Sequence, residues 1–115
     1  MKKVLWFSRH ELTSEQKSGL SRILKTTPDD LSVRVLDKTI SSAKEIVDEI
    51  DGEELIAAVL PVRLLSELMK VLPNGSTVAV ARSNKRVRAD SGEWKFVYDG
   101  WDVIKRCIYE ADAVL

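Results

Sequence analysis

The sequence predicts one α/β domain: a small three-layer parallel sheet of strand order 2-1-3-4 with a C-terminal antiparallel strand pair. Three observations lead there. Two runs, Val4–Phe7 and Leu55–Leu60, are continuously apolar, as strands buried on both faces of a parallel sheet are. Strand-like and helix-like stretches alternate over about the first 85 residues with short turns between them, which implies right-handed crossovers covering both sheet faces. The second strand alternates apolar and polar residues, so it belongs at an edge, with strands one and three in the middle.

Strand one runs from about Lys3 to Ser8. Thr13-Ser14-Glu15-Gln16 then forms a capping box, Thr13 bonding the Gln16 backbone N–H while Gln16 reaches back. Leu20, Ile23 and Leu24 give the following helix its apolar stripe, which ends by Thr26-Thr27-Pro28 because proline disfavours a helical residue before it. Leu31–Val35 is strand two. It gives way at Asp37-Lys38-Thr39 to a second helix, with Ser42-x-x-Glu45 as its capping box and Ala43, Ile46, Val47 and Ile50 on one face. Asp51-Gly52 closes that helix.

Strand three, Leu55–Leu60, stops at Pro61, and Leu64, Leu65, Leu68, Met69 and Leu72 mark the buried face of a helix from about Val62 to Leu72. Pro73-Asn74-Gly75 turns the chain into strand four, Val78–Ala81. Arg82–Arg88 reads as a basic loop. Trp94–Tyr98 has the composition of a strand, Asp99-Gly100 that of a tight turn, and Trp101–Tyr109 fits either a return strand or a short helix. An antiparallel strand pair is the favoured arrangement.

Length limits the chain of 115 residues to a single domain spanning 1–115. Basic and acidic residues balance at 18 each, so no overall field favours duplex DNA or an anionic membrane, and any polyanion site must be a local patch. A single cysteine, Cys107, and a single histidine, His10, allow neither an internal disulfide nor a Cys/His zinc centre. No stretch reaches the roughly 18 apolar residues of a membrane span, and the N-terminal run is too short for a signal peptide. A cytoplasmic protein without metal or cofactor is expected.

In open α/β sheets, ligands bind beyond the carboxyl ends of the strands, where the strand order reverses. Here the reversal lies between strands one and three, so a crevice is expected between Ser8-Arg9-His10 and Pro61-Val62-Arg63. Arg82, Ser83, Asn84 and Lys85 follow strand four at the same edge. Arginines, hydroxyls and free N–H groups at helix starts suit phosphate. The chain carries no G-x-G-x-x-G and no Walker loop, which argues against dinucleotide binding and ordinary nucleotide hydrolysis.

A strand ending in Ser8-Arg9-His10 and a later one ending in Leu60-Pro61-Val62 resemble the small CRISPR-associated proteins of the ring-nuclease kind. Related prophage and mobile-element proteins begin with a similar stretch, here Trp6-Phe7-Ser8-Arg9-His10-Glu11. The resemblance implies a Rossmann-like, CARF-like domain, a homodimer, and cleavage of a cyclic oligoadenylate second messenger in antiviral signalling. One such family has Arg-Gly-x-Glu-Leu beyond strand four, where this chain has Lys85-Arg86-Val87-Arg88.

On that resemblance Ser8, Arg9 and His10 are the catalytic residues of a metal-independent transesterification. Arg9 neutralises phosphate charge, Ser8 donates to a phosphate oxygen, and His10 moves the proton, imidazole being the side chain that exchanges protons near neutral pH. Arg63, Arg82, Ser83, Asn84 and Lys85 hold the remaining phosphates of a cyclic oligoadenylate or another phosphate-rich nucleotide. Two other expectations stand beside this one: a non-catalytic nucleotide-binding or sequestering protein, and a phage or mobile-element interaction protein that keeps only the fold.

Overall fold

The protein is described by a computed structural model covering residues 1–73, 75–83, 85–112 and 114, with Lys85 described by its backbone alone. The elements follow as β1 (Lys2–Phe7), α1 (Ser14–Ile23), a 3-10 turn (Pro28–Asp30), β2 (Leu31–Leu36), α2 (Ala43–Glu49), β3 (Leu55–Ala58), α3 (Val62–Val71), β4 (Thr77–Arg82), β5 (Lys85–Arg88), β6 (Trp94–Val97) and β7 (Gly100–Val103). The main sheet has the order β2-β1-β3-β4-β7. Strands β1 to β4 are parallel and β7 is antiparallel to β4. This is a small Rossmann-like fold.

The apolar runs bury both faces over Val4–Phe7 and Leu55–Ala58, as their composition demands. β3 stops two residues short of the expected Leu60, with Val59 exposed and Leu60 half-buried where the chain turns toward Pro61 and α3. Leu5, Phe7, Ile56, Ala58 and Val78 point to the side covered by α2 and α3, where Ile46, Leu65 and Leu68 meet them. Val4, Trp6, Leu55, Ala57 and Ala79 point to the other side, against Leu20 of α1. Val4, Leu5, Leu55 and Ile56 have no exposed surface, and each such large side chain contributes about 1.5–3 kcal/mol of burial.

The capping box of α1 forms, with the Thr13 N–H donating to Gln16 Oε1 at 2.9 Å and the Gln16 N–H to Thr13 Oγ1 at 3.2 Å. The second box is different. Ser42 makes no side-chain cap bond; Glu45 accepts instead from the Ser41 backbone N–H at 3.0 Å and the Ser41 hydroxyl at 2.8 Å. Ser41 lies one residue further out, where the longer Glu45 side chain reaches both donors. These bonds, the backbone one foremost, hold the Glu45 carboxyl below its ordinary value.

Two features of the C-terminal third depart from expectation. The basic stretch read as a loop contains β5, which pairs with β6 in a separate two-stranded sheet. Asp99-Gly100 does not fold β6 back on a return strand; it hands the chain to β7, which adds to β4 with Trp101 opposite Ala81. The apolar face of Trp101 decides this, because on β4 it reaches Trp6 and α1 and in a free hairpin it would stay wet. Residues 104–109 form neither strand nor helix; Ile104 and Cys107 cover the α2/α3 core instead.

Arg34 and Glu53 were not singled out by the sequence. The buried Glu53 carboxylate accepts from Arg34 Nη2 at 2.5 Å, and the same guanidinium reaches Glu49 at 3.5 Å. Burial alone would raise the Glu53 carboxyl, but Arg34 and the Asp51 N–H outweigh it and hold the group below its ordinary value.

Gly19 sits mid-helix in α1, where alanine would ordinarily stabilise by about 1 kcal/mol. A Cβ at this position would lie 2.7 Å from Trp101 Cδ1 and 2.7 Å from the Tyr98 hydroxyl. Trp101 is fixed, because its indole N–H donates to the Gln16 carbonyl at 3.1 Å. Gly19→Ala is therefore expected to destabilise the protein by about 1–3 kcal/mol in chemical denaturation. A gain in stability would show that β7 does not pack on α1.

Candidate functional site at the sheet edge

The end of β1 is built to stop burial abruptly. Val4 to Phe7 are buried, Ser8 is half-buried, and Arg9 and His10 are exposed. The Ser8 N–H donates to the Leu36 carbonyl at 3.1 Å, one rung beyond β1 and β2. Its hydroxyl oxygen then accepts the His10 N–H at 3.1 Å, a local turn in which serine replaces a backbone acceptor. The His10 carbonyl accepts the Trp6 indole N–H at 2.8 Å. Leu12 is buried again, so both ends of the turn are fixed while the side chains of Arg9 and His10 project outward.

The strand registers set what lies beside this turn. Trp6 is level with Ala57, and Ala58 with Val80, so residues 8–10, 59–61 and 81–83 emerge at the same edge. The axes of β1 and β4 are about 10 Å apart, two strand spacings. Arg63 stands exposed in the first turn of α3, which has no acidic residue there. Among the described residues, no hydrogen bond or ion pair engages the His10 imidazole or the Arg63 guanidinium. Arg9 leans toward Asp37 at 4.0 Å, both well exposed.

The two sides of the expected crevice border different ground. Arg63 lines a recess of about 210 Å³ with Leu64 and Glu67 of its own helix, with the N-cap Pro61, and with Ile40 and Ser41 of the β2–α2 connection, not with the Ser8–His10 turn. Larger clefts lie along α1. One, of about 620 Å³, runs between the start of α1 and the hairpin residues Val87, Lys95, Val97 and Tyr98. The other, of about 690 Å³, is lined by Glu15, Ser18, Arg22 and Tyr98 to Trp101. Burial, with Glu15 and Asp99 nearby, raises the Tyr98 hydroxyl above its ordinary value against the opposing charges of Arg22 and Arg82.

Arg82 is committed to the fold. Its guanidinium donates to the Asp99 carbonyl at 3.0 Å and meets Asp102 at 3.4 Å. It lies against Gly100, where a Cβ would fall 2.5 Å from Nη2. Its Nε is buried without a hydrogen-bond partner. Ser83 is exposed beside it, Lys85 belongs by its backbone to β5 opposite Val97, and Asn84 lies outside the described residues. Sequence reasoning missed the part played by Tyr98 and Trp101; the mid-helix Gly19 was the one signal that a bulky ring sits on α1.

Among the described residues, no group of three or more His, Cys, Asp or Glu side chains is gathered to hold a metal ion, and no helix is long and apolar enough to cross a membrane. Comparison with known protein families, with curated proteins and with solved structures finds no match.

Arg82→Ala is expected to lower the unfolding free energy by about 1 kcal/mol, a modest figure because the guanidinium is half-exposed. Arg63→Ala is expected to stay within about 0.5 kcal/mol of the parent. Urea titration of both variants checks the contrast, and equal effects would mean that Arg82 does not tie β4 to β7.

Proposed function

We propose that this sheet edge binds a cyclic oligoadenylate and cleaves it without a metal ion, in the manner of a ring nuclease of antiviral signalling. The observation that carries the proposal is the turn at Ser8–His10: it is locked from behind by Trp6 and presents to solvent an imidazole with no partner among the described residues and a guanidinium that leans on the exposed Asp37 at 4.0 Å. A rigid turn presenting such groups lowers the ordering cost of holding a phosphodiester in line.

In this reading the ribose 2′-oxygen attacks the adjacent phosphorus and gives up its proton, and the bond from phosphorus to the 5′-oxygen breaks. The products are a 2′,3′-cyclic phosphate and a 5′-hydroxyl. His10 moves the proton and Arg9 offsets the charge on the phosphoryl oxygens. Ser8 contributes mainly through the turn, since its oxygen already accepts from His10. Arg63 meets a further phosphate, whereas Arg82 contributes to the local field while staying bound to Asp99 and Asp102. Lys85 and Asn84 belong to the reading as ligands after β4.

The second reading is a binder that sequesters the same nucleotide without cleaving it. The openness of the edge favours it, since the Arg9 side chain is 82% exposed and catalysis gains from excluding water. Incubation with cyclic tetra- and hexa-adenylate in EDTA separates the two. Linear products in the parent, with turnover reduced about 100-fold in His10→Ala at nearly unchanged affinity, support the enzyme. Retention without cleavage supports the sequestering protein, and absence of binding overturns both.

A ring-shaped ligand with internal symmetry is best held across a two-fold axis, the commonest symmetry of oligomers. The proposal therefore includes a homodimer with the two Ser8–His10 turns facing a shared ring. Light scattering at high protein concentration is expected to give twice the chain mass, and a monomer would count against ring binding.

A further inference from the structure

The hairpin β5–β6 carries an unexplained face. Its register sets Arg86 opposite Phe96 and Arg88 opposite Trp94, so these four side chains share one side, because side chains alternate along a strand and cross-strand partners point the same way. Val87, Lys95 and Val97 turn the other way, toward the start of α1. The outward side leaves Trp94 58% and Phe96 66% exposed. Arg86 lies over the Trp94 ring, 4.8 Å from its centroid. A two-stranded hairpin is at best marginally stable alone, and leaving two large aromatics wet on it calls for an occupant.

We propose that this face binds single-stranded nucleic acid, with bases stacked on Trp94 and Phe96 and phosphates paired with Arg86 and Arg88. Flat apolar rings flanked by guanidinium groups match a chain that alternates flat bases with negative charges, and such stacking tolerates any base sequence. Guanidinium planes also stack on bases, so the Arg86–Trp94 pair offers two surfaces. Charge decides against the other obvious occupant: a second hairpin packed symmetrically on this face would press Arg86 and Arg88 against their own copies. The chain carries equal numbers of basic and acidic residues, so attraction for a polyanion is local to such a patch and not a property of the whole chain. The site is separate from Ser8–His10 and does not depend on the reading of that turn.

Fluorescence anisotropy of a labelled twelve-residue oligo(A) RNA, single-stranded or annealed to its complement, tests the assignment on the full chain. The parent is expected to bind the single strand more tightly than the duplex. Its affinity should fall with salt at a logarithmic slope near −1.4, about 0.7 for each of two phosphates. Trp94→Ala with Phe96→Ala is expected to weaken binding at least tenfold. Arg86→Gln with Arg88→Gln, which keeps the aromatic rings, is expected to weaken it and flatten the salt slope.

Circular dichroism checks that each variant remains folded. Equal affinity for strand and duplex, unchanged affinity in both folded hairpin variants, or a dimer that Trp94→Ala with Phe96→Ala dissolves would overturn the proposal, the last by making the face a contact between copies.

Discussion

The indole of Trp6 joins three parts of this protein that are not direct ladder neighbours: α1, β7 and the turn after β1. Its ring is buried in the layer between the sheet and α1, its edge meets Trp101 of β7 at 5.6 Å and 81°, and its N–H holds the His10 carbonyl. Edge-to-face geometry fixes two large rings in one relative orientation. Trp101 in turn bonds the Gln16 carbonyl of α1 and fills the space that Gly19 leaves open. The turn that presents Arg9 and His10 thus inherits its rigidity from packing on the far side of the strand.

This coupling explains why the central part of the fold was legible and the C-terminal part less so. Val4–Phe7 and Leu55–Ala58 are apolar at consecutive positions, the pattern of strands covered on both sides, although the apolar run continues to Leu60 past the end of β3. The Thr13–Gln16 box is local and survives intact. Residues 94–103 hold no such local instruction. Trp101 suits a hairpin or a sheet edge equally by composition, and its place is decided by Trp6 and Gly19, both more than 80 positions away in the chain.

The candidate site follows the same division. The sequence placed Ser8, Arg9, His10, Arg63 and Arg82 at one sheet edge, and the registers bring the ends of β1, β3 and β4 to that edge, although Arg63 borders a recess apart from the Ser8–His10 turn. It did not distinguish an arginine available to a ligand from one already in use. Arg82 is in use because the antiparallel addition of β7 brings Asp99 and Asp102 alongside it, a consequence of the pairing that was itself not legible. Arg34 shows the same limit: alternation marked it as a polar edge residue, and only the folded chain reveals the buried Glu53 it serves.

The direction of β7 has a consequence for how the domain is made. β1 to β4 run parallel and are complete by Arg82, but the sheet face above α1 is finished only by Trp101, and that above α3 only when Ile104 and Cys107 arrive. The Tyr109 N–H then reaches the Ser66 hydroxyl at 3.3 Å on α3. Until residues 100–109 have been made, a growing chain therefore has β4 as an open edge and Trp6 without its aromatic partner. An unpaired edge invites pairing with a neighbouring chain, so residues 100–109 act as a clasp whose arrival ends that exposure during synthesis.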